Sequence, residues 1–163
     1  MNDEVPTFKQ TGYDGVIWEN AQRGTPVDFF GSASPEVYDH DKGSNGTFTM
    51  SIENDDEGLF EVYPEQGTNE ASFSIRVKKE GVLDFETRQE VQLTLVATEL
   101  GPDGRHSRVP VRIRVQDVND NSPIFEEEVY VVNVLENVES GATVGVVRAT
   151  DVDSGAFGTG GIR

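Results

Sequence analysis

The chain has 163 residues, 35% of them hydrophobic, and 30 acidic residues against 13 basic ones give a formal net charge of -17. That balance excludes nucleic acid as a partner, because phosphate binding needs clustered lysine and arginine. The absence of cysteine excludes a disulfide framework, a thiol nucleophile and a thiolate metal site.

The length suits one ordinary domain of roughly 100–150 residues plus a remainder. No run approaches the ~18–20 consecutive apolar residues that a membrane-spanning helix needs, and Met1-Asn2-Asp3-Glu4 does not read as a signal peptide. In chain order, strands are expected over Thr47–Ile52, Ser72–Val77, Val91–Thr98, Val109–Val115, Val129–Leu135 and Thr143–Ala149. Alternation is clearest in Val91, Leu93, Leu95 and Ala97, and again in Val109, Val111, Ile113 and Val115, the pattern of half-buried strands. Turn clusters such as Gly101-Pro102-Asp103-Gly104 separate them, and short strands at this spacing predict an all-β sandwich. Phe29 and Phe30 are expected in its core, Trp18 in packing or on a partly exposed surface, and His40 and His106 in surface loops. Asn45-Gly46-Thr47 is an N-glycosylation sequon centred on Asn45.

An internal repeat organises the chain. Asn2-Asp3-Glu4-Val5-Pro6-Thr7-Phe8 aligns with Asn119-Asp120-Asn121-Ser122-Pro123-Ile124-Phe125, a shift of 117 residues that also places Tyr13 on Tyr130, Glu19 on Glu136 and Gly24 on Gly141. Asp39-His40-Asp41-Lys42-Gly43 then falls on Asp151-Val152-Asp153-Ser154-Gly155 at a shift of 112, so the first copy is longer by five residues between Gly24 and Asp39. A period of this size is a domain rather than a solenoid unit, and the second copy stops early, which predicts a piece of a longer tandem array.

The acidic residues cluster at the junctions of that repeat. Asp39-x-Asp41 and Asp151-x-Asp153 open like EF-hand loops, which require glycine at position six and glutamate at twelve. Those positions hold Ser44 and Met50 in one case and Ala156 and Ile162 in the other, so the EF-hand is rejected. Asp84 and Glu86 could form a hydrolase acid–base pair or a solvated acidic turn. Neither reading accounts for the other acidic motifs.

Asp117-Val118-Asn119-Asp120-Asn121-Ser122-Pro123-Ile124-Phe125 resembles the Asp-x-Asn-Asp-Asn-x-Pro-x-Phe linker between repeats of the cadherin superfamily. Trp18-Glu19-Asn20, Leu83-Asp84-Phe85-Glu86 and Asp151-Val152-Asp153-Ser154-Gly155 match further signatures of that family in the same order. The resemblance implies a Greek-key, immunoglobulin-like β-sandwich repeat over residues 9–116. Residues 1–8 would be a remnant of the preceding linker, 117–125 the calcium-binding linker, and 126–163 the start of a truncated second repeat. It implies three calcium ions held by Glu19, Asp84 and Glu86, by Asn119 and Asp120 with the Val118 and Asn121 carbonyls, and by Asp151 and Asp153. Asp117 belongs to the motif without an assigned ligand role. Asp39, Asp41 and Glu99, with Asn2, Asp3 and Glu4, would serve the preceding junction; Glu99 replaces the family's aspartate and Glu4 the linker's final asparagine. The implied setting is the extracellular ectodomain of a plasma-membrane protein, with neighbouring repeats and other cadherin ectodomains as partners and no enzymatic activity. Two roles remain open, an adhesive repeat and an interior force-bearing spacer.

Overall fold

The computed structural model describes residues 2–31, 34–121, 124–125, 131 and 148–153. It divides into two compact units, Met1–Gln116 and Asp117–Arg163. The first contains β1 (Thr7–Phe8), β2 (Tyr13–Trp18), β3 (Asp28–Phe29), β4 (Glu36–Tyr38), β5 (Thr47–Glu53), β6 (Phe60–Tyr63), β7 (Gln66–Thr68), β8 (Glu70–Ser72), β9 (Ser74–Val77), β10 (Glu90–Glu99) and β11 (His106–Gln116). A single 3-10 turn over Gly43–Gly46 is the one helical element among the described residues.

Nine of these strands form a sheet in the order β1-β4-β8-β7-β5-β10-β11-β2-β3, and β6 pairs with β9 in a separate ribbon. Its spine is the β10–β11 hairpin, registered from Glu90↔Arg114 to Thr98↔His106 across the Gly101–Gly104 turn. Val91, Leu93, Leu95, Ala97, Val109, Val111, Ile113 and Val115 are all buried, so the period-2 pattern is the inner face of this hairpin. The covering layer consists of the β6–β9 ribbon, which buries Phe60, Val62, Ile75 and Val77, and of the chain around Thr25 and Val27, which hydrogen-bonds along β9. The two layers close a Greek-key β-sandwich around one core.

Three expectations need correction. The strand read as Ser72–Val77 is two strands, β8 in the large sheet and β9 in the ribbon, broken at Phe73. Phe73 turns inward instead, edge-on to Phe8 and Tyr13 with ring centroids 5.9 and 5.5 Å away, and an aromatic of that size buries enough area to set the crossover between layers. Phe30 is 55% exposed rather than in the core, whereas Phe29 packs against Tyr13. The Phe30 amide still bonds to the Asp14 carbonyl at 2.8 Å, so strand alternation sends neighbouring side chains to opposite faces. His106 is the first residue of β11, exposed, rather than part of a loop. His40 is exposed in the bend after β4, and Trp18 is 55% exposed at the end of β2.

β2 and β3 meet closely at Gly15, where an added Cβ would lie 2.6 Å from Val27 Cγ1 and 3.0 Å from the Asp28 carbonyl oxygen. Gly15→Ala is therefore expected to cost about 1–3 kcal/mol through forced backbone shifts. An unchanged thermal midpoint would contradict the Gly15↔Phe29 register.

In the second unit, β12 (Ile124–Phe125) pairs with β13 (Ala149–Thr150). The strands expected over Val129–Leu135 and Thr143–Ala149 lie outside the described residues, apart from Val131, from Arg148 and from Ala149 in β13.

Candidate metal centre

Two acidic centres sit at opposite ends of the first unit's sheet. β2 runs parallel to β11 and both end together at Trp18↔Gln116, whereas β10 runs the other way and ends at Glu99. The strand directions alone thus separate Glu19 from Glu99.

At the β2 end, the Glu19 amide bonds to the Gln116 carbonyl at 2.9 Å, and Asn20 adopts a left-handed φ of 58° that turns the chain back, its amide reaching the Leu83 carbonyl. This tight exit buries the Glu19 carboxylate, which accepts the Phe85 amide at 2.8 Å. Phe85 lies between Asp84 and Glu86, so the same hydrogen bond brings their loop to Glu19. That loop is a turn in its own right: the Asp84 carbonyl accepts the Thr87 and Arg88 amides, and Asp84 Oδ1 accepts the Glu86 amide at 3.1 Å. The result gathers carboxylate oxygens of Glu19, Asp84 and Glu86 within 4.8 Å of one another.

Such a gathering is electrostatically costly without a cation. The cost is visible at Glu86, whose carboxyl is pushed up from the usual carboxylate range to about 7. Its hydrogen bond with Asp84 is the largest cause, followed by burial and by the charge of Glu19. The sign follows directly. With no cation bound, Glu86 favours the fold while protonated, and that contribution is lost as pH rises through about 7. The donors are carboxylate oxygens without nitrogen or sulfur, a set that fits a hard cation such as calcium.

At the opposite end, Asp39, Asp41 and Glu99 are all buried. Asp41 accepts the amides of Asp3 at 3.3 Å and Glu4 at 3.1 Å, and its own amide bonds to Asp39 Oδ1 at 2.9 Å. Burial works to raise the Asp41 carboxyl, but the Glu4 and Asp3 amides outweigh it and hold the group below its ordinary value. Asn69, with a φ of 62°, braces the bend by donating its side-chain amide to the Asp39 and Asp41 carbonyls. Among the described residues, Asp39, Asp41 and Glu99 do not form a three-carboxylate group of the kind seen at Glu19. Glu99 pairs instead with the Arg105 guanidinium, at 3.0 Å. Neither Asn69 nor Arg105 is marked in the sequence: one is an asparagine in a turn whose partners Asp39 and Asp41 are about thirty residues away, the other a basic residue that pairs with Glu99 across its own hairpin but with Asn2 and Asp3 about a hundred residues away. Asn45 lies half-buried in the 3-10 turn that follows Asp41.

The second unit repeats the local geometry of this end. Its Asn121 amide donates to Asp153 Oδ2 at 3.1 Å and the Asp153 amide to Asp151 Oδ1 at 3.0 Å, matching Glu4, Asp41 and Asp39. The strand pairs match as well: Thr7↔Tyr38 and Phe8↔Val37 in the first unit correspond to Ile124↔Thr150 and Phe125↔Ala149 in the second. Both pairs obey the shifts of 117 and 112 residues read from the sequence. In the linker, the Asp120 amide bonds to the Val118 carbonyl at 2.8 Å, and Asn121 donates its side-chain amide to Asp120 and Asp153.

Comparison with known proteins places this architecture. A family model described as the cadherin domain matches residues 13–116. Cadherin-86C of Drosophila melanogaster is 42% identical over 154 residues, covering 94% of this chain and 8% of that protein. The human cadherin-related family member 2 is 34% identical over 155 residues, covering 94% of this chain and 12% of that protein. Among solved structures, mouse cadherin-23 EC22-24 has a TM-score of 0.77 at 28% identity, with 96% of this chain and 47% of that chain covered. The chain thus spans a small fraction of the length of the curated relatives it matches. With a cadherin-domain model covering most of its sequence, the chain belongs to the cadherin family.

Proposed function

We propose that the chain is a calcium-binding segment of an extracellular cell-adhesion receptor, in which calcium stiffens the connection between consecutive repeats. The observation that carries this is the convergence of Glu19, Asp84 and Glu86 oxygens within 4.8 Å, in a chain whose sequence also holds the complete Asp117–Phe125 linker motif. Glu19, Asp84 and Glu86 would hold the ions from the first repeat. Asn119, Asp120 and the Val118 and Asn121 carbonyls would do so from the linker, and Asp151 and Asp153 from the second repeat. Bound calcium would supply the positive charge that this set lacks by itself, and the carboxylate and carbonyl oxygens named above would coordinate it. The residues do the rest: the Phe85 amide orients Glu19, the Asp84 turn presents Glu86, and Asp151 orients Asp153 through its amide. Partners in this reading are the neighbouring repeats of the same chain and another cadherin ectodomain in cis or trans. In this reading Asp84 and Glu86 are calcium ligands rather than a hydrolytic acid–base pair.

The test is a calcium titration by calorimetry on the chain and on its Asp120→Ala variant. Saturable binding to the chain and at least about tenfold weaker binding to the variant are expected, since each lost charged ligand removes more than about 1.4 kcal/mol. Binding should also weaken as pH falls below about 7, because Glu86 must lose its proton to serve as a ligand. Binding unaffected by Asp120→Ala would sink the proposal.

A further inference from the structure

Arg105 makes an arrangement that the calcium reading does not use. Its Nε donates to Glu99 Oε1 at 3.0 Å, while its two terminal nitrogens donate to the main-chain carbonyls of Asp3 at 3.2 Å and Asn2 at 2.8 Å. One cation thus gathers a buried carboxylate and two carbonyls from a segment about a hundred residues distant along the chain. The guanidinium is itself held in place, because the Arg105 and Glu99 main chains pair and the Arg105 amide also donates to Glu99 Oε1. The arginine is 35% exposed and its partner carboxylate 0%, so the ion pair is capped from solvent on the acidic side.

Carboxylate plus carbonyl oxygens around one positive centre is the coordination chemistry of a hard divalent ion, here met by planar N–H donors. Among the described residues, three further buried oxygens at the same end, Asn2 Oδ1, Asp39 Oδ2 and Glu99 Oε2, have no hydrogen-bond partner. Removing the guanidinium would leave Glu99 as a buried carboxylate with no cation, beside the unpartnered Asp39 oxygen, the condition that draws a divalent ion in.

We propose that Arg105 is a tethered cation that takes a divalent ion's place beside Glu99, latching Asn2 and Asp3 to the repeat without calcium at that position. The two ends of the first unit then differ in kind. At the Glu19 end the carboxylates depend on an added cation, whereas the Glu99 end carries its own. The inference leans on the calcium reading only for the identity of the ion that would replace the guanidinium.

The experiment compares the full chain with Arg105→Gln and Arg105→Lys in chelator and in saturating calcium. The readout is hydrogen exchange of the Asp3 and Glu4 amides, which bond to Asp41. In chelator, the wild-type amides are expected to stay protected, and those of Arg105→Gln to exchange at least about tenfold faster, equivalent to about 1.4 kcal/mol. Calcium should restore protection in Arg105→Gln, and adding Glu99→Gln to that variant should abolish the restoration. Arg105→Lys keeps the charge but not the three-way fork, so it should lie between the two, and it decides the matter if Arg105→Gln does not fold. Equal protection of wild type and variants in chelator would overturn the latch. Loss of protection that calcium fails to restore would overturn the substitution for an ion. Calcium binding at the Glu19 end is read separately through Asp120→Ala, so failure of either idea is distinguishable from failure of the other.

Discussion

Replacing Phe48 by alanine is expected to destabilise the first unit by about 3–5 kcal/mol, the usual cost of emptying a fully enclosed aromatic site. Phe48 is 0% exposed, and its ring lies against Gly67, where an added Cβ would come within 2.8 Å of Phe48 Cζ. The neighbour across the strand is therefore already in contact and has no side chain with which to fill the void. β5 also aligns Phe48 with Glu99 on β10, so the cavity opens beside the buried carboxylate of the Arg105 end. A fall in thermal midpoint of roughly 10–20 °C in saturating calcium is the corresponding signal for a unit of this size. A drop of only a few degrees would mean that the core relaxes around the site, against the packing described for β5, β7 and β10.

The second large effect has opposite signs in two conditions. Glu19→Gln keeps the shape and the acceptor for the Phe85 amide but removes one of three clustered charges. In chelator the variant should melt above the wild type, because a buried charge and its repulsion with Asp84 and Glu86 are both gone. In calcium the order should reverse, because the wild type gains stability by mass action from ions bound only when folded, and the variant loses most of that gain. The reversal separates a metal ligand from a structural carboxylate. A residue that only supports the loop would lower the midpoint in both buffers, and that outcome would remove Glu19 from the proposed centre. The comparison is cleanest at or above pH 7.5, where Glu86, pushed up to about 7, is mostly ionised in the cation-free protein.

Both variants act on features of unequal legibility. The inward face of the β10–β11 hairpin is legible directly, since Val91, Leu93, Leu95 and Ala97 recur at every second position, although Val96 between the last two is buried on the opposite face. β2 is not legible in the sequence: Asp14 and Gly15 interrupt its apolar pattern, and Gly15 is demanded by the close approach of Val27 rather than by strand propensity. Glu19, Asp84 and Glu86 occupy motif positions, but nothing local in the sequence says that the Phe85 amide joins them.

Periodic patterns and short motifs in the sequence carry the all-β character, the repeat with its shifts of 117 and 112 residues, and the order of the acidic signatures. These are legible because alternation and spacing are local properties of the chain, and the matching strand registers and carboxylate–amide bonds of the two units follow from them. Tertiary structure alone decided that Phe73 crosses between layers, that Phe30 faces solvent, and that Arg105 reaches the carbonyls of Asn2 and Asp3. Each of those outcomes depends on which distant segment arrives as a neighbour. A guanidinium in a turn carries no mark of its partner until the sandwich closes and excludes water from the carboxylate beside it.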